Sequence, residues 1–282
     1  MFILGVGAQK AGTSWLYNQL AKTRNFKALG TKELHYWDEC YSQYSEQIQT
    51  EQDIQNWFTA SCPGEIGSPR EVTGEDYFSK IQKTSRRPLG FLSPKMLVAD
   101  ITPAYSGLPV FVWRTILNQL EKHQIDYRVV YLLRDPVLRI TSAMNMWARS
   151  DLLQGFVRGI SGVERFSSIG REVSATWAYQ ARTRYEMTLQ NLDSVFPPDK
   201  VFVGFQELMS SSSQHHRLQD FLGFGIQHFD YQATPQTDET YTYFDRETAS
   251  AVASSYVSTY TAMRDRYPFV EDIWSGFQFL KK

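Results

Sequence analysis

The segment GAQKAGTS near the start of the chain, Gly7–Ser14, has the composition of a loop that binds an anion. Its two glycines stand at the spacing of a nucleotide P-loop, and two hydroxyl residues follow the second glycine. A glycine-rich turn that opens a helix directs backbone N–H groups and the positive end of the helix dipole toward one point. A P-loop places its lysine directly after the second glycine, whereas Lys10 precedes Gly12 by two positions. The loop therefore predicts an anion site that differs from the site of an ATP-binding P-loop.

A second group of residues suited to anion binding follows the apolar stretch RVVYLL. Arg134 comes directly after this stretch, and Ser142 lies eight positions later. An arginine fork and a hydroxyl can both donate hydrogen bonds to a phosphate. The alternative interpretation is that Arg134 pairs with the adjacent Asp135 and binds no ligand.

Three apolar stretches predict the strands that position these two turns: Phe2–Val6, Arg128–Leu133 and Lys200–Phe205. Helical patterns follow each of them, from Trp15 to Leu20, from Val137 to Trp147 and from Leu218 to Leu222, with Gly223 as a C-cap. Strands that alternate with helices indicate a parallel α/β sheet. Ligands of such sheets bind at the carboxyl ends of the strands, so both turns can face the same crevice.

The composition favours a globular α/β protein, with 42% hydrophobic residues among 282 and a net charge of −1. A nearly neutral chain has no global field that attracts nucleic acid, so no nucleic-acid partner is expected. No signal peptide is expected, and the sequence contains no apolar run of the ~20 residues that span a membrane and no N-x-[ST] sequon. We expect a cytoplasmic protein with a single domain over residues 1–282, whose insertions at about 41–94 and 148–176 shape the site.

Taken together, the two motifs resemble those of sulfotransferases that use 3′-phosphoadenosine 5′-phosphosulfate (PAPS). In that family K-x-G-T-[ST] holds the 5′-phosphosulfate, and here it reads KAGTS from Lys10 to Ser14. A later R-D-P-x-x-R-x-x-S holds the 3′-phosphate, and here it reads RDPVLRITS from Arg134 to Ser142. The resemblance implies a three-layer, P-loop-like α/β fold with a central parallel sheet of about four or five strands flanked by helices.

The resemblance also implies a set of cofactor-binding residues, with PAPS released as PAP and no metal required. Trp15 stands where cytosolic members stack a tryptophan on adenine, although a core position is the alternative for this residue. Tyr185 and the later Phe196-Pro197 are spaced as in one branch of the family. The predicted cofactor-binding residues are Gly7, Gln9, Lys10, Ala11, Gly12, Thr13, Ser14, Trp15, Arg134, Ser142 and Tyr185.

The segment TKELHYWD, Thr31–Asp38, is similar to the E-x-H-[FY]-[FW]-D segment of the heparan-sulfate sulfotransferase type. In that branch the glutamate is the catalytic base, which implies this role for Glu33. An acceptor hydroxyl must lose a proton as it attacks sulfur, and a carboxylate or an imidazole can take that proton. If the segment is extended, Glu33 and His35 lie on one face and could share the task. Packing within a turn is the alternative for both residues.

The segment DITPAY, Asp100–Tyr105, resembles the E-K-T-P-A-Y segment of the same branch, but Ile101 stands where the branch has a lysine of the active site. Either Lys10 alone supports the leaving group, or another cation such as Lys95 takes the place of that lysine. We therefore expect a PAPS-dependent sulfotransferase that acts on a hydroxyl or amine, by resemblance that of a carbohydrate or another small metabolite. A small-molecule kinase and a nucleotide-binding module without catalytic activity are the alternatives.

Overall fold

The computed structural model describes residues 1–44, 62–63, 71–72, 74–85, 96–148, 163–223 and 243–280. Within these ranges the strands are β1 (Phe2–Gly7), β2 (Cys62–Pro63), β3 (Glu71–Val72), β4 (Val98–Ile101), β5 (Tyr127–Leu133) and β6 (Val201–Phe205). Four of them form a parallel sheet in the order β4-β1-β5-β6. The short strands β2 and β3 pair with each other in antiparallel orientation.

The central strands are buried along nearly their whole length, as expected of a parallel sheet that is covered on both faces. The sequence predictions for β1, β5 and β6 are confirmed to within one or two residues. Strand β4 was not predicted, because its sequence VADI carries the charged Asp100 in the middle of a short run. It pairs with β1 at the edge of the sheet, with Leu4 opposite Asp100.

The helices of the described residues are α1 (Thr13–Ala21), α2 (Tyr36–Tyr44), α3 (Gly74–Ser85), α4 (Val110–Lys122), α5 (Pro136–Ala148), α6 (Val163–Ser174), α7 (Trp177–Ala181), α8 (Tyr185–Val195), α9 (Ser212–Leu222), α10 (Arg246–Ser255), α11 (Val257–Arg266) and α12 (Val270–Ile273). Short 3₁₀ turns occur at Pro103–Gly107, Pro198–Lys200, Gln206–Leu208 and Ser275–Phe279.

Helices α1 and α3 contact β4, and α9 contacts β6. Helix α8 packs against α4, and the Trp113 ring of α4 meets the Phe196 ring edge-on at 6.0 Å beyond the end of α8. The prediction of an α/β fold with a central parallel sheet flanked by helices is confirmed.

The third predicted helix begins six residues earlier than its apolar pattern indicated, at Ser212 instead of Leu218, because its first turn is polar. Its predicted C-cap is confirmed, since Gly223 has a φ of 69°. Much of the two predicted insertions lies outside the described residues, namely 45–61, 64–70, 73 and 86–94 of the first and 149–162 of the second. Lys95 lies there too.

Candidate active site

The glycine-rich loop leaves the carboxyl end of β1 and leads into α1 through two positions that require glycine. Gly7 has a φ of 126° and Gly12 a φ of 95°, in the region that L side chains rarely adopt. A Cβ atom at Gly7 would lie 2.9 Å from the Pro103 carbonyl oxygen, and one at Gly12 would lie 2.0 Å from Met209 Cε. The Ala8 N–H donates to the Leu132 carbonyl at 2.6 Å and ties the loop to β5. The predicted strand–loop–helix is therefore a close-packed turn.

Lys10 has a φ of 67°, which is unusual for a residue other than glycine. Residues with such strained backbone conformations cluster at binding and catalytic sites. The Lys10 side chain and that of Gln9 are half-buried, whereas Ala11 is fully buried. Thr13 is the buried first residue of α1, and the next residue, Ser14, is exposed. The first turn of α1 therefore offers one buried and one exposed hydroxyl at the positive end of the helix.

Arg134 joins the second predicted motif to this loop. Its side chain is 6% exposed, and its Nη1 donates to the Lys10 carbonyl at 3.1 Å. Its Nε is buried and has no hydrogen-bond partner among the described residues. The Tyr185 hydroxyl donates to the Arg134 carbonyl at 2.7 Å, and the Tyr185 ring is fully buried. A buried guanidinium with an unsatisfied N–H beside an anion loop fits a phosphate oxygen, because such a group is costly to leave unpaired. Tyr185 lies behind the turn and supports it.

Among the described residues Asp135 makes no ion pair with Arg134, so the pairing in that alternative interpretation is wrong. The Asp135 carboxylate accepts the Tyr260 hydroxyl at 2.7 Å and the Gly276 N–H at 2.5 Å, both from the C-terminal part of the chain. Its backbone N–H donates to Glu207 at 2.9 Å, and burial raises the pKa of Glu207 to about 7. These contacts hold the turn against the C-terminal part of the chain. The Arg134 guanidinium contacts the glycine-rich loop instead.

Helix α5 carries the rest of the second motif into the interior. Ser142 is 9% exposed, and in the described part of the chain it makes no hydrogen bond with Arg134. Arg139 is fully buried under the ring of Tyr179 at 5.2 Å, and its three guanidinium nitrogens have no partner among the described residues. Burial lowers the pKa of Arg139. The role of the Ser142 hydroxyl as a hydrogen-bond donor to a phosphate remains a prediction.

Glu33 lies next to the loop within a network of charges. Its Oε1 accepts from Lys32 Nζ at 2.5 Å, and its Oε2 lies 3.2 Å from His35 Nε2. Lys32 Nζ also donates to Thr13 Oγ1 at 3.2 Å, which connects this network to the first residue of α1. Burial raises the pKa of Glu33, but the hydrogen bonds from His35 and Lys32 outweigh it, so the net pKa is lowered. Glu33 is therefore ionised at neutral pH, the form that accepts a proton.

His35 has a φ of 53°, so the segment turns at this residue and does not run extended, which was the condition for Glu33 and His35 to share one face. Its Nδ1 lies 2.9 Å from Asp38 Oδ2, and its Nε2 faces Glu33. Hydrogen bonds to Asp38 and Glu33 raise the pKa of His35 to about 10 despite partial burial. In this arrangement the imidazole is protonated and donates to both carboxylates, which orients Glu33.

Buried Asp100 holds this segment against the sheet. Its Oδ1 accepts from the Thr102 hydroxyl at 2.7 Å and the Leu34 N–H at 3.3 Å. Its Oδ2 accepts from the hydroxyls of Tyr77 and Tyr105 at 2.7 and 2.8 Å. Burial raises the pKa of Asp100, although these four hydrogen bonds lower it. The segment DITPAY therefore positions Glu33 through the backbone of the residue that follows it.

Trp15 is half-buried and packs against the core, where its ring stacks on that of His215 from α9 at 5.7 Å. This contact agrees with the alternative given for Trp15 in the sequence analysis, namely a position in the core. Stacking on adenine remains a prediction.

The sequence analysis missed two features of this site. Lys32 was quoted in a motif but given no role, although a cation directly before Glu33 was a signal. The role of Asp100 as a buried hydrogen-bond acceptor was also missed. The nearby hydroxyl residues Thr102 and Tyr105 were the signal for this role.

Among the described residues, no cluster of three His, Cys, Asp or Glu side chains could hold a metal ion. Within the same ranges, none of the helices has the length and apolar composition required to cross a membrane. A cavity of about 470 Å³ between α8 and α11 is lined by residues such as Asp193 and Arg266, and it contains none of the predicted site residues. Because the charged groups converge at the loop, we place the candidate site there.

No protein-family model matches the chain, and no curated protein sequence matches it. Among solved structures, the chain is similar to the sulfotransferase from Alicyclobacillus acidocaldarius, with 16% identity over 93% of this chain and 94% of that chain and a TM-score of 0.50. The sulfotransferase domain of the Synechococcus PCC 7002 olefin synthase has 13% identity, coverage of 89% and 75%, and a TM-score of 0.43. At 16% identity the first likeness shows a shared fold, and the second adds nothing to it.

Proposed function

We propose that the chain is a PAPS-dependent sulfotransferase that transfers a sulfuryl group to a hydroxyl or amine of a carbohydrate or other small-molecule acceptor. One observation carries the proposal: Arg134 donates to the Lys10 carbonyl, so the two motifs that resemble PAPS-binding segments contact each other. The unsatisfied Nε of Arg134 and the positive-φ glycines of the loop fit a ligand with two separate phosphate groups. The similarity of fold to a solved sulfotransferase supports the same assignment.

In the proposed reaction the donor supplies a sulfuryl group whose bond to a phosphate oxygen breaks as a bond to the acceptor forms. Glu33 takes the proton of the acceptor, and His35 donates to the other side of the Glu33 carboxylate and aims it. Lys10 and the backbone N–H groups of the loop stabilise the charge that moves to the leaving phosphate. Arg134 binds the 3′-phosphate.

The test is the affinity for adenosine 3′,5′-bisphosphate (PAP) against AMP, measured by calorimetry on the wild-type chain and on Arg134→Met. We expect the wild type to bind PAP at least tenfold more tightly than AMP, because a charge-assisted hydrogen bond contributes ~1.5–3 kcal/mol. Arg134→Met should lose most of this preference, whereas the exposed-site control Arg264→Met should keep it. Equal affinity of the wild type for PAP and AMP would refute the assignment.

A binding module without catalytic activity is the second candidate, favoured by Ile101, which packs on Gly5 and supplies no cation to the site. Radiolabelled PAPS, incubated with a panel of sugar, amine and phenol acceptors, separates the two candidates. Transfer by the wild type, lowered ~10²-fold or more in Glu33→Gln with unchanged PAP affinity, is the result expected of the enzyme. PAP binding without transfer or hydrolysis would favour the module.

A further inference from the structure

Lys32 occupies a fixed position between the anion loop and the carboxyl end of β4. Its carbonyl accepts from the Ile101 N–H at 3.0 Å, so its backbone is held by the end of that strand. Its side chain is 20% exposed, which is a low exposure for a lysine. The residue therefore projects from a rigid part of the fold.

The ammonium group of Lys32 connects the first residue of α1 to the Glu33 carboxylate. Nζ donates to Thr13 Oγ1 at 3.2 Å and to Glu33 Oε1 at 2.5 Å. Thr13 is the first residue of α1, so an anion bound at this helix terminus would lie about one hydrogen-bond length, ~3 Å, from its N–H. A lysine ammonium has three hydrogens to donate. Among the described residues two of them are used, which leaves the third for an oxygen of that anion.

The charges of the site require a cation at this point. Glu33 is ionised and has to approach a sulfuryl group that also carries negative charge, so the two repel each other unless a positive group lies between them. Ile101 cannot supply this charge, because its side chain is buried against Gly5. The Lys32 ammonium lies between Glu33 and the helix terminus.

We infer that Lys32 is a catalytic cation, which donates to the sulfuryl group during transfer while it holds Glu33 toward the acceptor. The inference rests on the proposed function. As the bond from the acceptor oxygen or nitrogen to sulfur forms, the bond from sulfur to the phosphate oxygen breaks and its electron pair stays on the phosphate. The proton of the acceptor goes to Glu33, and Lys32 keeps its own protons throughout.

The test compares the affinities for PAPS and PAP, which differ only in the sulfuryl group, in wild type and Lys32→Met. Loss of a charge-assisted hydrogen bond to that group should weaken PAPS binding about tenfold or more and leave PAP binding within about twofold. The rate of hydrolysis of bound radiolabelled PAPS should fall ~10²-fold, since the contact strengthens as charge develops. Lys32→Arg should retain part of the wild-type affinity for PAPS, because arginine keeps the positive charge.

Two variants serve as controls. Lys27→Met removes an exposed lysine from the same stretch of chain and should change neither affinity. Lys10→Met should weaken PAP and PAPS together, since the proposed contact of Lys10 includes the 5′-phosphate. Retained PAP binding by Lys32→Met shows that this variant is folded.

An unchanged ratio of PAPS to PAP affinity in Lys32→Met would overturn the inference and leave the proposed function intact. Equal weakening of both ligands would also overturn it, since Lys32 would then bind the nucleotide. A wild type that fails to prefer PAP over AMP would overturn the proposed function and this inference with it.

Discussion

The four hydrogen bonds to Asp100 make this carboxylate the strongest test of how the candidate site is held. We consider the change Asp100→Asn, which keeps the shape of the side chain and replaces one oxygen with an NH₂ group. The Asn carbonyl can still accept from the Leu34 N–H and the Thr102 hydroxyl, as Oδ1 does now. Its NH₂ would then face the hydroxyls of Tyr77 and Tyr105, which donate to Oδ2 at present. Those hydroxyls can rotate to accept instead.

The expected cost follows from these exchanges. All four charge-assisted hydrogen bonds become neutral ones, which costs ~1 kcal/mol each, and relief of the desolvation that raises the pKa of Asp100 offsets part of this cost. The free energy of unfolding should therefore fall by about 2–3 kcal/mol. Asp100→Ala removes every acceptor from a buried network and should cost about 4 kcal/mol. Both values are to be measured by urea denaturation.

The same variant separates support of Glu33 from binding of the nucleotide. Because Asp100 contacts the segment of Glu33 and not Arg134, Asp100→Asn should lower the rate of PAPS hydrolysis while PAP affinity stays within about twofold. The matched control Asp265→Asn lies at an exposed position and should shift stability by less than ~0.5 kcal/mol. If Asp100→Asn were as stable and as active as this control, the reasoning would be refuted.

Two further predictions concern the backbone turns. His35 has its pKa raised from 6.5 to about 10, so its contribution to stability is complete below about pH 6.5 and is lost as the pH rises through about 10. Asn tolerates positive φ, so the difference in unfolding free energy between wild type and His35→Asn, measured by urea denaturation, should shrink from pH 6 to pH 10, and a constant difference would contradict the assignment of charge. Gly12→Ala should destabilise by ~1 kcal/mol more than Gly223→Ala and weaken PAP binding, because a Cβ at Gly12 displaces the end of the buried Met209 side chain whereas one at Gly223 meets nothing within 4 Å. Equal denaturation midpoints for the two alanine variants would contradict this packing.

Local patterns in the sequence were enough to identify the two central strands of the site and its glycine-rich loop. The apolar runs of β1 and β5 and the glycine-rich loop are contiguous signals, and each is confirmed as an element of the fold. The same holds for Gly223, whose φ of 69° ends α9. These features depend on the backbone preferences of residues that are adjacent in the chain, so they can be read directly from the sequence.

Only the tertiary structure decided which of these residues meet. Strand β4 lies beside β1 although about ninety residues separate them, and that pairing brings Asp100 beneath Leu34. The carboxylate of Asp135 points away from its neighbour Arg134 because Tyr260, from the far end of the chain, donates to it. The ammonium of Lys32 donates to the hydroxyl of Thr13, which lies 19 residues earlier in the chain. Such contacts depend on the directions of side chains after packing, and the spacing of residues along the sequence does not contain them.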